Sequence, residues 1–320
     1  FRLLFMIEWW KINFTRKNIN SVAQSLKHKR ISQGLNNLKF EKKISKLLNV
    51  KYCVSTTSGT TAIMLGLKAL ELKRGDEAIL PNRNWIASAN VLMYLGVKIK
   101  LVDVTKNNQI IDVKKIEKNI NKKTKLILPS HLNGKSPNME RIMQIAKKNN
   151  LYVMEDAAQA LMAKNKNKYL GTYGDLAIFS MAMTKILSTG QGGFVVTNKK
   201  KIYDKMLKLK NHGLKNPFEL DWSNPGGLNF KFTDYQAALA ISQLGSLRSR
   251  VKKLKENYLI YKKGLKNLNF IKIVEYDFNK GDLPLWIECE CRNRNKVISL
   301  LLKNKIQARP VYPSLNKFKR

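Results

Sequence analysis

Leu151-Tyr152-Val153-Met154-Glu155-Asp156-Ala157-Ala158-Gln159 opens as an apolar run of strand length and then meets a carboxylate, Asp156. Such a run reads as a buried strand, and open α/β sheets place ligand sites at the carboxyl ends of their strands. Asp175-Leu176-Ala177-Ile178-Phe179-Ser180 is a second run of this kind and Gly193-Phe194-Val195-Val196-Thr197 a third. The connection between those two contains Ser180-Met181-Ala182-Met183-Thr184-Lys185. One anion, Asp156, and one amine, Lys185, are thereby directed to a single crevice.

Either residue alone carries little information. An aspartate after a strand is commonly a helix cap, and lysine is abundant here, with Lys and Arg together making 60 of 320 residues. Paired across one crevice, they match what pyridoxal phosphate (PLP) chemistry requires. That chemistry needs an amine able to form a Schiff base and a carboxylate that keeps the pyridine nitrogen protonated, so that the ring accepts electrons. Ser58-Gly59-Thr60-Thr61-Ala62 follows the strand Tyr52-Cys53-Val54-Ser55 and opens a helix. N–H groups at a helix start beside a glycine form a phosphate seat. Ser180 can add its hydroxyl there, Trp85 at the end of the strand Ala78 to Leu80 can stack on a planar ring, and Gln159, one helical turn past Asp156, can reach the ring's oxygen. Gly226-Gly227-Leu228-Asn229-Phe230-Lys231 places an amide and an amine in a loop with no role assignable from the residues themselves.

Along the chain, helical spacing at Leu38, Phe40, Ile44, Leu47 and Leu48 gives way to alternation. Strand-like and helical stretches follow one another: Glu77 to Leu80, Ile86 to Leu95, Lys98 to Val104, Val113 to Ile120, Lys125 to Leu128, Met139 to Asn149, Leu151 to Met154. The pattern predicts an α/β fold with a mostly parallel sheet covered by helices on both faces. Thr233 to Leu265 reads as one long helical bridge. Beyond it, Phe270 to Val274, Leu285 to Glu288, helical Lys296 to Leu302 and extended Ala308 to Tyr312 suggest a smaller α+β unit. The expected division is a large PLP-binding domain, 1–245, and a small C-terminal domain, 246–320.

A chain of 320 residues that is 44% hydrophobic can bury a large core. The formal charge of +38 suggests nucleic acid at first sight. Yet the lysines are spread over nearly every segment and no zinc-finger or RNA-recognition motif is present, so no nucleic-acid partner is expected; the charge should instead steer anionic substrates. Cys53, Cys289 and Cys291 have no zinc spacing and are odd in number, which points to a reduced cytoplasmic compartment and no metal. The apolar start Phe1 to Ile7 is too short to span a membrane and has no cleavage site. Met6 is read as the native start, with residues 1–5 carried in from upstream.

The chain resembles the DegT/StrS family of PLP-dependent nucleotide-sugar aminotransferases, relatives of perosamine synthase. The likeness runs through Ile7-Glu8-Trp9-Trp10-Lys11, Ile31-Ser32-Gln33-Gly34, Thr57-Ser58-Gly59-Thr60, Gly75-Asp76-Glu77 and Trp85-Ile86-Ala87. It continues through Glu155-Asp156-Ala157-Ala158-Gln159, Gly171-Thr172-Tyr173-Gly174-Asp175, Thr189-Gly190-Gln191-Gly192-Gly193 and Phe232-Thr233-Asp234. The resemblance implies the aspartate aminotransferase-type fold (PLP fold type I). It implies that Lys185 and Asp156 are catalytic, that Gly59, Thr60 and Ser180 hold the phosphate, that Trp85 stacks and that Gln159 bonds near the ring hydroxyl. It also implies a homodimer in which Asn229 reaches the neighbouring subunit's cofactor phosphate. The implied reaction moves an amino group from glutamate to a nucleoside-diphosphate-linked keto-sugar.

Three departures fall where the sugar nucleotide is expected: Asn133 where many members have tyrosine, Lys231 where many have arginine, and Asn316 in place of a histidine. The chain also stops at Arg320, short of the family's usual end, and reads as truncated there. The alternatives are a sugar dehydratase of the same fold, whose relatives replace the lysine with histidine, and a non-catalytic regulatory homologue.

Overall fold

The computed structural model describes residues 6–29, 31–214 and 226–317. The question of residues 1–5 lies outside that range. Two helices lead in, α1 (Arg16–Lys27) and α2 (Leu35–Leu48), followed by β1 (Tyr52–Thr56), α3 (Gly59–Ala69), β2 (Glu77–Pro81), α4 (Ala87–Tyr94) and β3 (Lys98–Val102). The chain continues through α5 (Val113–Ile116), β4 (Thr124–Ile127), α6 (Met139–Lys148), β5 (Tyr152–Asp156), a small hairpin of β6 (Lys164–Asn165) and β7 (Lys168–Tyr169), then β8 (Leu176–Ser180) and β9 (Gly193–Thr197). α7 (Lys200–Lys210), α8 (Asp234–Gln243), α9 (Leu247–Leu265), β10 (Ile271–Ile273), β11 (Cys289–Cys291) and α10 (Arg294–Lys303) complete it.

Helix starts follow side-chain chemistry. Ser58 and Thr61 cap α3 reciprocally, the Thr61 N–H donating to Ser58 Oγ at 3.1 Å and the Ser58 N–H to Thr61 Oγ1 at 2.8 Å. Asn138 caps α6 by accepting from the Arg141 N–H, while Glu140 in its first turn and Lys147 and Lys148 in its last complement the helix dipole.

Seven strands form one sheet in the order β1-β9-β8-β5-β4-β2-β3. β9 alone runs antiparallel to its neighbours, as the pairings with β1 and β8 record. The central strands are buried along most of their length because both faces are covered, while the edge strand β3 is only partly buried. On one face Phe179 stacks on Phe194 at 4.7 Å, and Phe194 meets the edge of Phe40 from α2 at 5.8 Å. On the other, Leu65 and Leu67 of α3 and Leu92 of α4 pack with Leu80, Ile178 and Val195. No helix among the described residues is long and apolar enough to cross a membrane.

Two sequence expectations shift. The stretch from Thr233 is two helices, α8 and α9, separated by a 3-10 turn at Leu244–Ser246. Gly245 sits in that turn, and the Gln243 side chain donates both to Leu239 O of α8 at 3.1 Å and to Ser188 O at 2.7 Å. We propose this joint, between 245 and 246, as the boundary of the large and small domains. Leu285 to Glu288 is also not a strand. Asn133 takes both backbone groups of Trp286, so the ladder with β10 begins only where Val274 N–H donates to Glu288 O.

The end of β5 carries the strongest constraint in the sheet. Glu155 is fully buried, and its Oε2 accepts from His131 Nε2 at 2.6 Å and from the Gly171 N–H at 3.0 Å. Its Oε1 accepts from the N–H groups of Tyr173 and Gly174 at 2.6 and 2.7 Å. Burial pushes this carboxyl up, but the His131 hydrogen bond and charge, with the Gly174 and Tyr173 N–H groups, bring it below the ordinary value of 4.5. Glu155→Gln turns an NH2 group toward these donors, and removing one partner of a buried pair costs about 3–5 kcal/mol. Urea unfolding at neutral pH should show a loss of that order. A carboxyl depressed in the folded state stabilises above its unfolded pKa, so the deficit should shrink as pH falls below 4.5.

Candidate active site

Strand alternation sends Asp156 to the face opposite Glu155. Its Oδ2 accepts from Ser88 Oγ at 2.9 Å and Asn84 Nδ2 at 3.2 Å, and its Oδ1 from the Ala158 N–H at 3.2 Å. Asp156 N–H donates to Pro129 O, and Asp156 O accepts from His131 N–H, both at 2.9 Å, so the backbone is tied to the strand end beside it as well. The carboxylate is buried, satisfied by neutral donors, and fixed in direction.

Lys185 reaches the same crevice from the β8 to β9 connection, in a turn closed by its N–H on Ala182 O. The residue as a whole is half-buried, but its ammonium end lies deep, with Nζ 5.0 Å from the centre of the Trp286 ring. Desolvation lowers this amine to about 8 from 10.5, against the pull of Asp156, whose negative charge raises it. At pH 7.5 the neutral fraction rises from about one in a thousand to about one in four. A buried amine so poised is a nucleophile and a base at neutral pH.

Beside them, the capping of α3 uses the N–H groups of Ser58 and Thr61 and leaves those of Gly59 and Thr60 without a protein acceptor among the described residues. Ser180 stands against this helix start: a Cβ added at Gly59 would lie 3.2 Å from Ser180 Oγ. Two free N–H donors and a hydroxyl therefore converge where an anion can sit. Together with a fixed carboxylate and a neutralisable amine, the set suits a ligand bearing a phosphate, a basic ring nitrogen and an aldehyde, which is the functional inventory of PLP.

Trp85 is 55% exposed at the mouth, its ring edge-on to Tyr312 at 5.7 Å. Gln159 lies in consecutive tight turns after β5, not in a helical turn as the spacing suggested. Its Oε1 accepts from the Asn133 N–H at 2.9 Å, and its Nε2 donates to the Tyr312 hydroxyl at 3.4 Å. Thr60 is exposed at the start of α3. Asn229 stands apart. It is exposed, pairs with Asn211 in an isolated bridge and accepts from the Lys231 N–H, and among the described residues it touches none of the groups above.

Sequence reasoning missed Asn84, Ser88, Trp286 and Tyr312. Ser88 lies in the first turn of α4 and Asn84 in the bend before it, so no helical spacing joins them and neither carried a signal. Trp286 and Tyr312 carried none.

A model of the DegT/DnrJ/EryC1/StrS aminotransferase family matches residues 13–319. A GDP-perosamine synthase of Escherichia coli O157:H7 is 35% identical over 275 residues, covering 86% of this chain and 75% of the relative. Among solved structures, Helicobacter pylori PseC, an aminotransferase involved in the biosynthesis of pseudoaminic acid, superposes with a TM-score of 0.91 at 26% identity, over 98% of this chain and 87% of the other. An E. coli GDP-4-keto-6-deoxy-D-mannose-3-dehydratase with bound hydrated PLP shares the fold at a TM-score of 0.87 and 23% identity, over 96% and 86%. With its seven-stranded, mostly parallel sheet and a family match over nearly its whole length, the chain belongs to the DegT/DnrJ/EryC1/StrS aminotransferases, PLP-dependent enzymes of the aspartate aminotransferase-type fold.

Proposed function

We propose that the protein transfers an amino group from glutamate to a keto-sugar linked to a nucleoside diphosphate, as a homodimer in the cytoplasm. The observation that carries the reading is the desolvated Lys185 amine, lowered to about 8, within electrostatic reach of the buried Asp156 carboxylate. Bound PLP supplies an electron-accepting ring that stabilises negative charge on the carbon losing its proton. The Gly59 and Thr60 N–H groups and the Ser180 hydroxyl bind the phosphate. Asp156 holds the proton on the ring nitrogen, Trp85 stacks on the ring, and Gln159 bonds beside its hydroxyl. Lys185 would hold the cofactor through its amine, and its Nζ, once free, would take up the proton from the donor's α-carbon and carry it.

The presence of Lys185, where dehydratase relatives carry histidine, favours amino transfer over dehydration. The sugar nucleotide would lie toward Asn133, Lys231 and Asn316. A strongly basic protein draws in such an anion, in a salt-dependent manner. The relatives named for nucleotide sugars, including the E. coli GDP-perosamine synthase, support this substrate class.

The direct test follows the cofactor spectrum. Glutamate should convert the cofactor of the loaded protein to its amine form, and a nucleotide-linked keto-sugar should convert it back. Return only with ordinary 2-keto acids would count against the sugar. Borohydride reduction of the loaded protein should leave the cofactor on the peptide containing Lys185 and on no other.

Asp156→Asn removes the charge that keeps the ring nitrogen protonated. An opposite charge at hydrogen-bond range is worth about 1–3 pKa units, so single-turnover rates should fall roughly 10- to 1000-fold with cofactor still bound. Unchanged rates would remove Asp156 from this role.

Asn229 acts, on this reading, in the site of a second copy. Asn229→Asp sets a carboxylate against a phosphate, and Lys185→Ala removes the amine; each should be inactive alone. Refolded together, the two variants should regain activity in mixed dimers, where one site keeps both residues intact. Mixed dimers that form and stay inactive would refute the shared site.

A further inference from the structure

The segment from Lys280 to Glu288 crosses in front of Lys185 and is fastened at several points. Lys164 and Lys166 donate their N–H groups to Gly281 O and Lys280 O at 2.9 and 2.7 Å. The Leu283 N–H donates to Gly134 O at 3.2 Å, and the approach is so close that a Cβ at Gly134, whose φ is +75°, would lie 1.9 Å from Leu283 O. At the far end Arg83 and Glu288 form a partly buried ion pair at 3.2 Å.

The fastening nearest the amine is different in kind. Asn133 Nδ2 donates to Trp286 O at 3.0 Å, and Asn133 Oδ1 accepts from the Trp286 N–H at 2.9 Å. One primary amide thus satisfies both backbone groups of the residue whose indole lies over Lys185. Asn133 can do so because its backbone is left-handed, with φ +48°, a conformation asparagine tolerates better than most side chains. Its own N–H is taken by Gln159, so the amide is held from both sides. Behind the indole, Trp9 packs at 6.1 Å.

We propose that Asn133 is a positioning residue for the reaction: its two-point grip on the Trp286 backbone seats the indole over Lys185 and keeps bulk water from the amine. An aliphatic side chain at 133 can make neither bond, and a phenol has one oxygen in place of the amide's separate donor and acceptor atoms. The ring face favours the ammonium while loss of water disfavours it, and the second effect wins, in line with the direction of the Lys185 shift. Among the described residues, the carboxylate that pulls the amine the other way is Asp156. The inference rests on Lys185 as the reacting amine.

The test reads the amine itself, in the full chain freed of cofactor. Acetic anhydride labelling at a series of pH values, with the Lys185 peptide quantified by mass spectrometry, yields the pH at which that amine loses its proton. The native protein should inflect near 8. Asn133→Gly keeps the left-handed backbone and deletes only the amide. It should move the inflection upward by about one pH unit or more, a tenfold loss of neutral amine. Trp286→Ala should do the same, and Trp286→Phe, which restores a ring, should hold the inflection near the native value.

Glu288→Gln cuts another fastening of the same segment without touching the Asn133 grip and should leave the inflection in place. An unchanged inflection in Asn133→Gly, or an equal shift in Glu288→Gln, overturns the proposal. If Asn133→Gly does not fold by circular dichroism, an unchanged inflection in Trp286→Ala overturns it as well. These outcomes do not depend on turnover, so a wrong role for Lys185 shows separately, as borohydride labelling on another peptide.

Discussion

Two adjacent carboxylates at the end of β5 organise this protein because a strand sends neighbouring side chains to opposite faces. Glu155 faces the fold. It gathers His131 and the turn at 171–174 around one buried charge. Asp156 faces the site and is held by Asn84 and Ser88 from the loop and helix after β2. A buried charge stripped of partners is far more costly than one fully bonded. The first carboxylate therefore pins the strand end, and the pinned strand end aims the second.

The same economy recurs elsewhere in a chain with 60 basic and only 22 acidic residues. Glu41 of α2 is buried and accepts from the Ser55 N–H, the Ser55 hydroxyl and Lys210. It ties α2, β1 and α7 together next to the loop that ends in Asn229, whose neighbour Phe230 donates to Lys210 O. Most other lysines lie in solvent, where ion pairs contribute little. The excess charge acts at long range on approaching anions and leaves the core to hydrophobic packing and a few fully bonded acids.

The crevice combines rigid and exposed parts. Asp156, Ser180 and the start of α3 are set at strand ends and a helix N-terminus, elements whose geometry is enforced by the sheet. Trp85 and Tyr312 stand at the mouth and meet edge-on. Deeper, under the Trp286 ring, Lys185 is tuned by burial more than by charge. That leaves the amine able to give up its proton near neutral pH.

Much of this was legible in the residues. Alternating apolar runs and helical spacing determined the α/β fold, because strand and helix periods are local properties of the chain. Asp156 and Ser180 were readable as candidates for the same reason, since each ends such a run, and the candidates Lys185 and the Gly59-Thr60 helix start lie in the connections that follow strands. The sequence also carried the family's ordered motifs. What it could not determine was who touches whom across long separations. Asn133 grips Trp286 from 153 positions away, and Ser88 reaches Asp156 from 68. Contacts between groups so far apart along the chain leave no periodic trace. Only the closing of β5 against β4 and β8, and the docking of the 280–288 segment over the turns that follow β2, β4 and β5, decided that an indole would lie over the amine.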